Sequence, residues 1–320
     1  MPQLKPRILL AGKTGQVGAE LAILLPRLGD VFAPEHGDFD LARPTDIVRT
    51  IRDVRPNLIV NAAAYTAVDH AEKEPSMAHA VNAEAPALMA HEAKKLGAAI
   101  VHYSTDYVFD GTKRSPYTES DTPNPINVYG KTKLASEQAI RDAGLPHLIF
   151  RTAWVYATRG RNFLLTILRL ASQQEELSVV RDQIGSPSWC REIATATLSV
   201  LNRISPDPRS FSLRSSGTYH MTAGGASSRY DFARAILSEA AQAPANLPWL
   251  VSATSGHPLI ARRVNPITSA QHPTVAPRPE YSVLSNSLLE KTFGVRLPDW
   301  STQLRSIFRD PEVPEPETGR

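Results

Sequence analysis

The chain has 320 residues, 42% hydrophobic and 21% charged, with 26 Pro, 17 Gly and one Cys, a composition that excludes a disordered or fibrous protein. Its 35 basic residues nearly balance 32 acidic ones for a net charge of +3, and no basic cluster stands out, which argues against a nucleic-acid or membrane-surface partner. The single thiol, Cys190, excludes an internal disulfide and a Cys-rich zinc site and favours a reducing, cytoplasmic setting; the apolar run after Arg7 stops at Lys13, too short for a secretory signal, and no stretch approaches the roughly 18 apolar residues of a membrane span.

Arg7-Ile8-Leu9-Leu10-Ala11 reads as a buried strand entering a glycine turn, and residues 17–25 as a helix that stops at Pro26. The unit recurs as a strand at 31–33, a helix at 44–53 with Pro44 in its first turn, and a strand at 57–61. A long helix is expected over 76–96, closed by Gly97, followed by a fourth strand over 98–103 whose end carries Ser104 and Thr105. A polar, Pro-rich loop over 110–128 is longer than most, and loops of that length tend to be functional. A helix then begins near Tyr129, and His147-Leu148-Ile149-Phe150-Arg151 gives a fifth strand.

Such alternation predicts an α/β protein with a doubly wound parallel sheet. Beyond it the pattern loses regularity, so we expect a dinucleotide-binding domain over 1–156 and a smaller α/β substrate-binding lobe over 157–311, with 190–222 packing back on the first domain. Pro244, Pro248, Pro258, Pro266, Pro273, Pro277 and Pro279 are expected to interrupt any regular element there, and 312–320 reads as a flexible tail.

Gly12-Lys13-Thr14-Gly15-Gln16-Val17-Gly18 spaces glycines three apart between strand and helix, where bare backbone lets a pyrophosphate approach the helix N-terminus, as in Rossmann-type folds. A P-loop would need glycine where Arg7 stands. Glu35, at the end of the second strand, is placed to accept from an adenosine ribose and repel a 2′-phosphate, which leans towards NADH; it also reads as a solvated loop acid, and Arg43 nearby would admit NADPH.

Tyr129 and Lys133 lie four apart, on one helix face. A phenol is a reluctant proton donor or acceptor at neutral pH, and an adjacent ammonium is expected to lower its pKa. Thr105 at a strand's C-terminal edge can hold a carbonyl oxygen. Alone, a Tyr and a Lys four apart on a helix usually read as a surface pair. Joined to the glycine turn it resembles the short-chain dehydrogenase/reductases over about the first 160 residues, where the tyrosine protonates the nascent alkoxide, the lysine also binds the nicotinamide ribose and the Ser or Thr orients the carbonyl. His79 and His102 have no visible ligand partners and read as packed or surface residues; Arg159 and Arg161 read as diphosphate contacts or as a loop coat.

A closer resemblance is carried by the glycine turn, Val60-Asn61-Ala62-Ala63-Ala64-Tyr65-Thr66-Ala67-Val68-Asp69, His102-Tyr103-Ser104-Thr105-Asp106-Tyr107-Val108-Phe109-Asp110-Gly111, Asn127-Val128-Tyr129-Gly130-Lys131-Thr132-Lys133, Arg151-Thr152-Ala153-Trp154-Val155-Tyr156 and Asp182-Gln183-Ile184-Gly185-Ser186-Pro187. Together they resemble the dTDP-4-dehydrorhamnose reductase family over most of the chain. The resemblance implies NADH- or NADPH-dependent reduction of the C4 ketone of a dTDP-linked sugar. It implies that Gln16, Val17, Asp40, Leu41, Ala64, Tyr65 and Thr66 line the dinucleotide, with Tyr129 and Lys133 at its nicotinamide end, and that Thr105, Asp106 and Trp154 contact the sugar nucleotide. Asp40 also reads as a helix cap and Trp154 as core.

Some relatives form homodimers through acids around a divalent cation such as Mg2+. Only Glu20 remains of that set, with Arg191 and Ser301 where acids would stand, so no metal site is expected. Residues 254–265 form a longer stretch than the resemblance implies, which leaves the sugar open. Two other readings stand beside the first: a reductase of another nucleotide-linked 4-keto-deoxysugar, and a non-catalytic regulatory subunit resembling the methionine adenosyltransferase β subunit.

Overall fold

The apolar runs of the sequence become neighbouring strands of one sheet. The computed structural model describes residues 5–205, 207, 210–244 and 246–309, so the expected tail at 312–320 lies outside the described residues. Strands β1 (Arg7–Ala11), β2 (Asp30–Phe32), β3 (Leu58–Asn61), β4 (Ala99–Thr105) and β5 (His147–Thr152) come first. The chain then forms short strands β6 (Val155–Tyr156), β7 (Glu176–Val180), β8 (Ile184–Gly185) and β9 (Ser188–Trp189), and returns to the sheet as β10 (Gly217–His220). The sheet order is β10-β5-β4-β3-β1-β2, and every neighbouring pair is parallel. Both faces are covered by helices, which is why β3 and β4 are buried at every residue instead of alternating. From β1 the chain moves outward to β2 and then crosses to β3 on the other side. The glycine turn after β1 therefore opens at the switch point, on the strand-end edge where open α/β sheets bind ligands.

The helices in the first half are α1 (Gln16–Leu24), α2 (Pro44–Val54), α3 (Val68–Ala71), α4 (Pro75–His79), α5 (Ala85–Leu96) and α6 (Val128–Ala143). In the second half come α7 (Phe163–Ala171), α8 (Cys190–Ile204), α9 (Arg229–Ala240), α10 (Pro248–Thr254), α11 (Ser287–Phe293) and α12 (Trp300–Arg309). On one face of the sheet α1 and α8 pack together over Ile8, Leu10, Val60 and Phe150; on the other α2, α5 and α6 cover Leu9, Ile59, Ile100 and Ile149. A separate core around Tyr156, Phe232, Trp249 and Phe308 is built by α7, α9, α10 and α12. β11 (Ser227–Ser228) runs antiparallel to β8, and β12 (Arg263–Ile267) parallel to β7.

Two expectations need correction. The helix expected over 76–96 is interrupted by a π turn at Ala80–Glu84. Pro86 lacks the N–H that would bond to Asn82 and its ring would crowd that carbonyl, and the wider turn absorbs both defects. The prolines between 244 and 280 do not exclude regular structure either. Pro248 occupies the first turn of α10, where its missing N–H has no helical partner, and Pro266 sits in a two-stranded sheet in which each strand has a free edge.

One buried ion pair fixes α6 against the sheet. Arg151 on β5 donates through Nη2 and Nε to the two carboxylate oxygens of Glu137 at 2.7 and 2.9 Å, and Ser104 on β4 donates to Oε1 at 2.6 Å. Glu137 is 0% and Arg151 3% exposed, so removing one charge strands the other away from water. We expect Arg151→Met to lower the unfolding free energy by about 3–5 kcal/mol and Arg151→Met/Glu137→Leu to recover most of that loss. Urea unfolding of the two variants beside the unaltered chain reads the difference; equal losses would show that the pair does not hold the helix.

Candidate active site

A cleft of about 670 Å3 opens along the strand-end edge of the sheet, within the range of cofactor and ligand pockets. Its floor begins at the glycine turn. Gly12 has φ +82°, and a Cβ there would come within 2.7 Å of the Ala63 backbone. No side chain caps α1, so its first-turn N–H groups are available to an anion. Gly12, Gly15, Gln16, Val17, Asp40, Leu41, Ala64 and Thr66 all line the cleft.

Three of the residues singled out in the sequence do not line it. Gly18 serves packing, because a Cβ there would collide with the carbonyl oxygen of Gly12. Tyr65 points its hydroxyl away, donating to Glu74 at 2.6 Å, while its backbone is held by the Asn82 side chain. Glu35 is exposed and ion-paired to Lys13 at 2.6 Å. That pairing offsets the repulsion the carboxylate would otherwise exert on a 2′-phosphate.

The reactive groups stand on α6 and at the end of β4. Asn127 caps α6 by accepting from the Gly130 N–H at 2.8 Å, and it donates to the Pro277 carbonyl at 3.0 Å, which ties the helix start to the C-terminal part of the chain. Tyr129 lines the cleft half-buried, one turn before the buried Lys133, and Thr105 lines the same cleft.

The electrostatics of this trio differ from expectation. Burial pushes the Tyr129 phenol up, the carboxylate of Asp106 pushes the same way, and Thr105 only partly opposes them. No pull from Lys133 opposes them: its Nζ sits 3.1 Å from His102 Nε2, and burial pulls the ammonium itself down to about 7. Asp106 accepts from the Thr105 hydroxyl at 3.0 Å on Oδ1, whereas Oδ2 is buried without a hydrogen-bond partner. Burial pushes its carboxyl up to about 6, against the pull of Ser282, Thr105 and Arg229.

The far end of the cleft is closed by parts of the chain that the sequence did not link. Trp154 has φ +47°, a strained conformation for a bulky residue. Its ring lies over Gly185, where any Cβ would strike the indole. Arg229, at the start of α9, stacks its guanidinium 3.9 Å from the ring centroid on Trp154 and 5.1 Å from that on Phe163. Arg278 bonds to Asp69 at 2.6 Å and reaches the Tyr107 hydroxyl at 3.4 Å. The missed residue with most to offer is Arg229. Only the antiparallel pairing of Ser228 with Ile184 brings it beside Trp154, and no local pattern announces that.

Glu20, the one acid left of the set that would hold a divalent cation, is already held by two guanidinium groups. Arg159 holds one oxygen of Glu20 at 2.6 Å and Arg191 holds the other at 3.2 Å, and among the described residues no group of three His, Cys, Asp or Glu is placed to bind a metal.

A family model described as the RmlD substrate binding domain matches residues 6–312. This chain belongs to the RmlD family. It is 45% identical over 304 residues to a dTDP-4-dehydrorhamnose reductase of Burkholderia thailandensis, covering 95% of this chain and 98% of that one. It is 40% identical to the dTDP-4-dehydrorhamnose reductase of Escherichia coli K12, over 95% and 97% of the two chains. The crystal structure of dTDP-4-dehydrorhamnose reductase from Bacillus anthracis in complex with NADP superposes with a TM-score of 0.83 at 31% identity, covering 96% of this chain and 99% of that one. As an RmlD-family member the chain keeps the mostly parallel sheet and flanking helices of those structures.

Two consequences of this geometry can be measured. Gly185→Ala should displace the Trp154 ring and, if that ring contacts the sugar nucleotide as the resemblance implies, weaken its binding at least tenfold while dinucleotide binding changes less than about threefold; calorimetry of each ligand separates the two. The raised carboxyl of Asp106 means that the fold favours its protonated form. Its destabilising effect is absent below the unfolded value and complete above about 6. Asp106→Asn should therefore stabilise the ligand-free protein by about 2 kcal/mol at pH 8, a gain that disappears below about pH 4. Denaturant unfolding across that range checks both the sign and the window.

Proposed function

We propose that this chain is an NADH- or NADPH-dependent dTDP-4-dehydrorhamnose reductase that reduces the C4 ketone of dTDP-4-dehydro-L-rhamnose to give dTDP-L-rhamnose. The observation that carries the reading is the meeting, in one cleft, of an uncapped glycine turn with Thr105, Tyr129 and Lys133, in a chain 45% identical to a reductase of that name over 95% of its length.

The glycine turn fits a dinucleotide, since Gly12 leaves room that a Cβ would fill and the α1 N-terminus offers N–H groups to a pyrophosphate. The bound dinucleotide supplies hydride to the carbonyl carbon. Everything else falls to the chain. Thr105 orients the carbonyl oxygen by turning its hydroxyl proton from Asp106 towards it. Tyr129 keeps its proton at neutral pH because burial and Asp106 disfavour the phenolate, so it can deliver that proton to the oxygen as negative charge develops there. Lys133 holds the nicotinamide ribose and places positive charge beside the phenol as it loses its proton. Trp154 offers a flat apolar face to the deoxysugar, and Arg229 and Asp106 supply polar contacts around it. The Lys13 partner of Glu35 supports acceptance of NADPH alongside NADH.

Oxidation of NADH and NADPH should be followed by absorbance with dTDP-4-dehydro-L-rhamnose and with other nucleotide-linked keto-sugars. Turnover is expected with the first substrate, and Tyr129→Phe should lower kcat by about 10²–10⁴-fold with little change in dinucleotide affinity. Turnover confined to another sugar would overturn the substrate, and undiminished activity in Tyr129→Phe would overturn the mechanism.

A further inference from the structure

We infer that dinucleotide binding is coupled to the uptake of one proton by Lys133, because His102 is fixed in the ligand-free protein as a hydrogen-bond donor facing Nζ. The inference rests on the dinucleotide reading above and assigns His102 the role of a positioning residue.

The argument starts at a backbone group whose polarity cannot change. The Ala63 N–H donates to Asn61 Oδ1 at 3.1 Å, so the Asn61 amide is oriented with Nδ2 towards His102, 3.2 Å from Nδ1. An amide N–H needs an acceptor there, so Nδ1 is bare and the neutral ring carries its proton on Nε2. Nε2 has two neighbours, Ser136 Oγ at 2.9 Å and Lys133 Nζ at 3.1 Å. Ser136 spends its own proton on the Lys133 carbonyl at 2.6 Å and accepts at Oγ. Nζ therefore faces an N–H. A neutral amine can accept from it, whereas an ammonium, which has donors and no acceptor, cannot bond to it.

Asn61, His102 and Ser136 are each 0% exposed and Lys133 is 1% exposed, so bulk water does not relieve the conflict. Burial also pulls Lys133 down to about 7, with Glu137 partly opposing. Among the charged and titratable surroundings no carboxylate or phenolate is free to bond to Nζ. Glu137, one turn further along α6, has both oxygens engaged by Arg151, Ser104 and Arg141. Tyr129, one turn earlier, is protonated, and Asp106 and Tyr107, in the turn after β4, act on Tyr129 instead. β3 contributes only the amide of Asn61, and the π turn contributes Asn82, which bonds to Thr132.

A dinucleotide changes this balance, since its ribose hydroxyls accept hydrogen bonds and its phosphates are negative. A buffer acid then transfers a proton to the Nζ lone pair and its conjugate base stays in solution; no other bond changes.

The experiment is calorimetric titration with NADH at pH 8 in buffers of different ionisation enthalpy. NADH carries no 2′-phosphate to confuse the proton count. Uptake approaching about one proton per dinucleotide is expected, with Kd weakening by up to about tenfold per unit between pH 8 and 9. Lys133→Met, which removes a contact to the nicotinamide ribose, should bind NADH more weakly and should show no uptake in the binding that remains. Asn61→Asp places an acceptor at Nδ1, moves the ring proton there and bares Nε2 for the ammonium, so it should lose the uptake while Lys133 stays in place. Should Asn61→Asp not fold, nitrogen-15 chemical shifts of the unaltered protein read the His102 tautomer directly, and a proton on Nε2 is expected. Binding without proton uptake, uptake that survives in Lys133→Met or in Asn61→Asp, or a proton on Nδ1 would each overturn the inference. Failure to bind any dinucleotide would instead overturn the functional reading on which it rests.

Discussion

The whole site depends on where α6 lies against the sheet, and that is set by the buried contact of Glu137 with Arg151 and Ser104. Residues 129, 133 and 137 are spaced by four and so form one stripe of the helix. His102 and Ser104 are spaced by two and so point from β4 to the same side. Once Glu137 is locked to Ser104 and Arg151, Lys133 falls one turn back beside His102, and Tyr129 falls a further turn back at the strand end near Thr105. A buried ion pair of this kind contributes little net stability compared with an apolar substitute. What it supplies is register, because a carboxylate with four donors converging on it tolerates no sliding of the helix.

The price of that placement is a ligand-free site full of unresolved polar groups. Asp106 has a buried oxygen without a partner, Trp154 is held at positive φ, and Lys133 faces a donor. All three lie on one cleft; buried atoms without partners also occur away from it, at Tyr156, His220 and Trp249, whereas the loop over 110–128 satisfies its hydrogen bonds by ordinary means. Asp110, for example, takes the Thr112 N–H, the Tyr117 hydroxyl and the Asn124 amide. Strain concentrated where ligands bind can be relieved by the ligand, which turns a cost to the empty protein into binding energy for the occupied one.

How much of this could be read in the sequence follows from the range of each signal. The parallel sheet was legible because continuous apolar runs separated by helical periodicity admit few other arrangements, and the glycine turn and the Tyr129–Lys133 pair are patterns within seven residues. The π turn was missed because Pro86 sits inside an otherwise good helical pattern, and a helix can answer a proline by breaking or by widening. The lowering of the Tyr129 pKa by Lys133 was expected from spacing alone. Burial reversed that expectation, and how deep the two groups lie is set by the packing of α6 on the sheet, which nothing local announces. Arg229 was invisible for the same reason, as its place beside Trp154 exists only through the pairing of β8 with β11.

That division between local and long-range signals also separates chemistry from specificity. The groups that would handle the proton, Thr105, Tyr129 and Lys133, come from two adjacent elements and are tied to the sheet by buried contacts. The groups that would recognise the sugar come from scattered positions, with Trp154 after β5, Gly185 in β8, Arg229 at the head of α9 and Arg278 reaching back to Asp69. Changes in the second set alter the shape of the cleft without moving the first. An architecture of this kind would let one reduction be redirected towards different nucleotide sugars by altering loop and helix-terminal residues, and the stretch at 254–265, which runs from the end of α10 into β12, lies in the same half of the chain as most of those residues.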